Sequence, residues 1–245
     1  MIITRKENVL QANFKLPEEM LEQSRLAGLD EDKLYFDGAV NSKMAEYARE
    51  GLRYIQSKSK KGEQYPTIYA YITSPGGIEL YGLEIHDLMR FYEMNGVIHG
   101  VVVGHACSAA SMFILQGCTT RSATENSTIM CHDGGINFGD EVVTRKMFED
   151  PEWQDKVRRG FERSDAWALK ILKNRTGRKV SEIKKLLKRE EFLSAMEAYD
   201  FGLLDQVIQF REEKPPRRRA TDKKASVADK KGAEPAVTEK PLEAE

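Results

Sequence analysis

The chain reads as an α/β protein built from repeated strand–helix–strand units, and three observations predict that class. Segments rich in β-branched and aromatic residues, such as Thr67-Ile-Tyr-Ala-Tyr-Ile-Thr, alternate with segments whose apolar residues recur at helical spacing. The strand segments end at glycine, as at Gly76-Gly77 and Gly104, and feed directly into helices. Alternation in this order gives βαβ units with parallel strands. The 245 residues, 40% of them hydrophobic, suffice for one sizeable domain with extensions.

Taken in order, residues 1–32 form an amphipathic N-terminal arm, with Pro17-Glu-Glu-Met-Leu at the first turn of a short helix. The globular domain spans residues 33–210. Leu34-Tyr-Phe is a short strand ending at Gly38, and a helix from about Ser42 carries Met44, Tyr47, Leu52 and Ile55. The strand at 67–73 runs into Ser74-Pro75-Gly76-Gly77, after which Ile78, Tyr81, Ile85, Leu88 and Tyr92 mark one helix face. Val97 to Val103 is a second buried strand, ending at Gly104 and feeding a helix from about Ser108 to Gln116 that Gly117 stops. Ile129-Met-Cys is a further strand. The stretch from about Glu141 to Asn174 is helical, interrupted before Pro151, with a stripe of Trp153, Val157, Phe161, Ala168, Ile171 and Leu172. Ser194-x-x-Glu197 is a capping box, and Leu203 to Ile208 a last strand. Residues 211–245 hold no aromatic residue and mix Pro, Lys, Glu and Ala, a composition that cannot bury enough surface to order itself.

Charge and composition exclude several classes. Lys and Arg number 38 against 39 Asp and Glu, so no bulk electrostatic attraction to nucleic acid is expected. No apolar run is long enough for a membrane helix, and Met1-Ile-Ile-Thr-Arg-Lys lacks the apolar core of a signal peptide. The expected location is the cytoplasm, where Cys107, Cys118 and Cys131 stay free thiols; their spacing matches no zinc motif.

Three segments could carry chemistry. Ser74-Pro-Gly-Gly allows a tight backbone path and close approach of a ligand, though by itself it reads as a helix-entry turn. Gly104-His-Ala-Cys-Ser108-Ala-Ala-Ser111 places a serine between a buried strand and a small-residue helix. A nucleophile needs that fixed exposure, plus an adjacent base and donors for an oxyanion. On this segment alone a helix cap is the better reading of Ser108. Ile129-Met-Cys-His132-Asp-Gly-Gly ends a strand with a histidine beside two glycines. Among the four histidines, His86 lies inside a helix, His99 within an apolar strand and His105 in the strand exit close to Ser108.

Together these segments resemble the Clp protease proteolytic subunit family. Its Ser-Pro-Gly-Gly turn, Gly-x-Ala-x-Ser helix start and Met-x-His strand end read here as Ser74-Pro-Gly-Gly, Gly104-His-Ala-Cys-Ser108 and Met130-Cys-His132. The family segment with an acid before Phe-Leu-Ser-Ala-x-Glu-Ala reads here as Glu190-Glu191-Phe192-Leu-Ser-Ala-Met-Glu197-Ala. The resemblance covers about residues 33–210, and the Ser-Ala-Ala-Ser form is similar to Clp-type proteases of phages and prophages. It implies a ClpP/crotonase-like fold with a helical handle region, and a serine endopeptidase. Ser108 matches the nucleophile, His132 the general base, Gly76 and Ala109 the oxyanion-hole donors, and Glu190 the acid, where the family usually has Asp; Glu191 is the alternative acid. No metal or organic cofactor is implied, and the chain lacks a nucleotide-binding Gly-x-x-x-x-Gly-Lys-Ser/Thr loop. The implied partners are polypeptide substrates, copies of the chain in heptameric or stacked heptameric rings, and an AAA+ unfoldase. Three other readings stay open: a viral capsid or scaffold maturation protease, an inactive ring subunit, and an acyl-CoA enzyme of the crotonase type, which shares the fold without a Ser–His pair.

Overall fold

The structure is a computed structural model that describes residues 18–135 and 144–210, with the backbone alone at 18–22. The expectations for the start of the arm, for part of the helical stretch from Glu141 and for the tail from Arg211 lie outside these residues.

The first described element is α1 (Glu18–Asp30). It leads into β1 (Lys33–Val40), α2 (Ser42–Ser57), β2 (Thr67–Gly77), α3 (Glu79–Glu93) and β3 (Val97–Cys107). These elements form two successive βαβ units, and β1, β2 and β3 pair in parallel. Helix α2 starts where Asn41 Oδ1 accepts the Met44 amide at 3.0 Å, satisfying one of the first-turn donors. Its apolar residues Met44, Leu52 and Ile55 are buried against the sheet. On β2, Ile68, Ala70 and Ile72 alternate into the core, as Ile98 and Val102 do on β3. Full burial of one such isoleucine stabilises by about 1.5–3 kcal/mol.

After β3 the chain enters a π-helical segment, Ala110–Ile114, which continues as the short α4 (Leu115–Gly117). Strands β4 (Thr120–Thr124) and β5 (Thr128–Met130) follow. Next come α5 (Arg145–Glu149), α6 (Pro151–Thr176), α7 (Val180–Arg189), β6 (Phe192–Ser194), α8 (Ala195–Phe201) and β7 (Gln206–Ile208). The sheet order is β1-β2-β3-β4-β7, with β5 attached to β3 and β6 to β5, the latter pair antiparallel. The class is the expected one: mixed α/β with a mostly parallel sheet.

Several boundaries differ from the sequence reading; the last strand is shorter than expected, Gln206–Ile208. Strands β1 and β3 do not stop at their glycines. Gly38 (φ +87°) and Gly104 (φ +84°) bend the strands, and pairing resumes beyond them to Val40 and Cys107. The glycines act as bends in continuing strands, a role open to them because they lack a Cβ. Strands β4 and β6 and helix α7 were not anticipated; each is short or strongly charged, and takes its order from neighbours.

Helix α6 is capped by Asp150, whose Oδ1 accepts the Glu152 amide at 2.9 Å, and ends at Gly177 (φ +68°). Its apolar stripe divides. Ala168 and Leu172 are buried, whereas Phe161 is 37% exposed. The half nearer the N-terminus finds no full cover among the described residues.

Candidate active site

Ser108 stands at the point where β3 changes partner. Residues His99 to Val102 of β3 pair with β4, and residues His105 to Cys107 pair with β5. Cys107 is in register with Met130, and the Ser108 amide donates to Met130 C=O at 2.8 Å. This register carries His132 up beside Ser108. Ser108 itself has φ +53°, a left-handed conformation that costs a non-glycine residue about 1–2 kcal/mol. The turn is held on both sides. Ser108 C=O accepts the Met112 amide at 2.9 Å, and the Ser111 hydroxyl reaches Ser108 C=O at 2.9 Å and Met130 C=O at 2.6 Å. Ser111 is fully buried, so its role is to tie the turn to β5. The π-helical geometry that follows is itself a feature enriched at functional sites.

His132 Nε2 lies 2.8 Å from Ser108 Oγ. The structure thus brings these two predicted residues into direct contact. The other histidines have other surroundings. His86 Nδ1 meets Asp87 at 2.8 Å, and burial pushes its pKa down despite that carboxylate. His99 Nδ1 meets Thr120 Oγ1 at 2.7 Å, with its ring against Tyr69. His105 pairs across to Thr128 within β3.

Glu190 stands at the C-terminus of α7 in a left-handed conformation (φ +51°), with its carboxylate 3.9 Å from His132 Nδ1. That is ion-pair distance but beyond a hydrogen bond. The Glu190 side chain is 66% exposed. Glu191 turns away to Arg189, 3.4 Å from its guanidinium. The loop after His132 is pinned to the same helix, because the Asp133 amide donates to Leu187 C=O at 3.3 Å.

Gly76 and Ala109, the expected oxyanion donors, both lie against the Ser108 turn, and the Gly76 amide is engaged within its own turn. Strand β2 pairs with β1 through Gly77, with Ala39 opposite Gly76 and Val40 opposite Gly77. The Ile78 amide donates to Val40 C=O at 2.8 Å. Gly77 (φ +154°) lines the same cavity as Ser108 and Ala109. The Gly76 N–H donates to Ser74 Oγ at 3.1 Å; that hydroxyl in turn donates to Gly38 C=O at 2.6 Å. Gly76 serves by its missing side chain: a Cβ there would lie 2.6 Å from both Cys107 C=O and Ser108 Cβ. Ala109 precedes the π-helix, so its N–H has no carbonyl to meet within that helix.

A cavity of about 570 Å³ opens in front of Ser108 and Ala109. Gly77 and Glu79, Met112 and Phe113, and Phe161, Ser164 and Trp167 of α6 line it. Glu79 and Ser164 were not identified from sequence; no periodicity or motif singles them out, because they meet only where α6 packs beside the π-helical segment and the start of α3. Among the described residues no group of three or more His, Cys, Asp or Glu side chains could hold a metal ion, and no helix is long and apolar enough to cross a membrane. In a comparison with known protein families, residues 18–211 match the model described as Clp protease.

Proposed function

The chain belongs to the Clp protease family, and from that premise we propose that it is a serine endopeptidase that uses Ser108, His132 and Glu190. The observation that carries the proposal is the 2.8 Å contact between His132 Nε2 and Ser108 Oγ, formed at a serine in a left-handed conformation.

In this mechanism Ser108 Oγ attacks the peptide carbonyl while His132 Nε2 takes the hydroxyl proton. The tetrahedral oxyanion sits between the amides of Ala109 and Gly77, each such donor being worth about 3 kcal/mol of transition-state stabilisation. His132 then gives its proton to the leaving amine, and the acyl-enzyme is released by water through the same steps in reverse. Glu190 acts by its charge, favouring the imidazolium that forms on His132. Each half-reaction moves one proton through His132, so no other group is required to balance it. Residues 33–210 form the peptidase domain, with the arm before it and the tail after it as appendages.

The substrates are polypeptides, and the working form is a homo-oligomeric ring in the cytoplasm, supplied by an unfoldase. The half-covered apolar residues of α6 and the 66% exposed Phe148 of α5 supply the surface on which rings would meet. Light scattering should then show an oligomer at micromolar concentration; a fully active monomer would remove the ring from the proposal.

The enzymatic proposal is tested with a fluorophosphonate probe followed by peptide mapping. Labelling is expected at Ser108 and should vanish in Ser108→Ala. Labelling at Ser111, or none in the folded protein, would overturn it.

A further inference from the structure

The cleft contains a carboxylate that the mechanism does not use. Glu79 is the first residue of α3, directly after the Gly76-Gly77 turn, and it lines the same cavity as Ser108 and Ala109. Its Oε2 accepts a hydrogen bond from Ser164 of α6. Its Oε1 is buried and has no hydrogen-bond partner among the described residues. Among the described residues no Lys, Arg or His is paired with it, and Arg163, which lines the same cleft, is exposed. An acceptor buried without a donor is costly in the free protein, and the cost is relieved when a ligand supplies the donor. Glu79 also lies close to the loop that carries His132: a Cβ on Gly134 would stand 3.3 Å from Glu79 Oε2.

The lining shared by Ser108 and this carboxylate includes the apolar side chains of Met112, Phe113, Phe161 and Trp167. An aliphatic stem ending in a cation fits such a surface, its methylenes along the apolar wall and its charged head on the acid. An unbranched apolar side chain would cover the wall but leave Glu79 Oε1 desolvated and unpaired. An acidic side chain would add like-charge repulsion.

We infer that Glu79 is a specificity-determining residue that selects substrates with Lys or Arg on the acyl side of the scissile bond. The inference rests on Ser108 being the nucleophile, and the experiment separates the two. Peptidyl diphenyl phosphonates carrying Lys or Leu at the position next to phosphorus modify a serine nucleophile at a rate set by that side chain, while a simple fluorophosphonate reports on Ser108 alone. The wild-type protein should react about 10-fold or more faster with the Lys reagent, because a site built around a polar partner disfavours a side chain that leaves that partner unpaired. In Glu79→Gln the ratio of Lys to Leu rates should fall to about one, while the fluorophosphonate still labels Ser108. Equal or faster reaction of the wild type with the Leu reagent, or a Lys preference that survives Glu79→Gln, would overturn the inference while leaving Ser108 in place. Absence of fluorophosphonate labelling in the folded wild type would overturn both.

Discussion

Glu190→Gln measures how much of the catalytic work the acid does from where it stands. The substitution keeps the size and shape of the side chain and removes its charge. Its carboxylate is 3.9 Å from His132 Nδ1 and 66% exposed, so the interaction is Coulombic and well solvated. At that separation a unit charge pair gains about 1 kcal/mol in a water-like dielectric and about 4 kcal/mol at an effective dielectric of 20. Two-thirds exposure places the pair near the lower value, as for solvent-exposed ion pairs generally. Loss of about 1 kcal/mol from the imidazolium-like transition state corresponds to a fall of about 5-fold in kcat/KM. Replacing the hydrogen-bonded, buried acid of a serine-protease triad costs about 10⁴-fold. The two cases are far enough apart to distinguish with a fluorogenic peptide. Glu191→Gln, which breaks only the contact with Arg189, should leave the rate near wild type. A loss of 10³-fold or more in Glu190→Gln, or a greater loss in Glu191→Gln, would refute the reasoning. The first outcome would mean that Glu190 closes onto Nδ1 during turnover.

Gly76→Ala tests the packing role assigned to that glycine. The added methyl would meet Cys107 C=O and Ser108 Cβ at 2.6 Å in a backbone region of φ +92°, so the serine turn must move. Fluorophosphonate labelling should fall at least about 100-fold, since small misplacements of reacting groups carry costs of that order; labelling at the wild-type rate would show that the turn yields. Arg121→Ala tests the polar lock beneath β4 and β7. Arg121 is 4% exposed, meets both Asp205 oxygens at 2.5 and 3.0 Å, and bonds Gln116 and Gly202 C=O. Its loss should destabilise by about 3 kcal/mol, the low end for breaking a buried pair, because Asp205 is partly solvated; a melting temperature unchanged from wild type would contradict this. Burial pushes the Asp205 pKa up, but hydrogen bonding and the charge of Arg121 outweigh it and hold the carboxyl below its usual range. The stabilisation from this group is therefore present above the unfolded carboxylate pKa and is lost as pH falls through the lower folded value. The wild type should lose stability over that acid range more steeply than Arg121→Ala, as read from denaturant midpoints at successive pH values.

Much of this protein is legible in one dimension. Binary patterning announced the βαβ plan, because core strands and amphipathic helices must carry their burial pattern locally. Ile68, Ala70 and Ile72, or Met44, Leu52 and Ile55, show it directly. The Ser194–Glu197 capping box was equally local: Glu197 Oε2 accepts the Ser194 amide at 2.8 Å. Motif order placed Ser108, His132 and Glu190 in sequence. Their mutual distances were decided in three dimensions. The 2.8 Å contact joins residues 24 positions apart, and it exists because β3 leaves β4 at Gly104 and takes β5 as its partner. Glu79 entered the cleft by the same route. Its partner Ser164 lies 85 residues away on α6, and the unmet carboxylate oxygen arises only when that helix packs beside the π-helical segment and the start of α3. Residue types and their local spacing thus determined the elements and the chemical inventory. Strand register and helix packing, which are contacts between distant segments, determined which of those groups face one another.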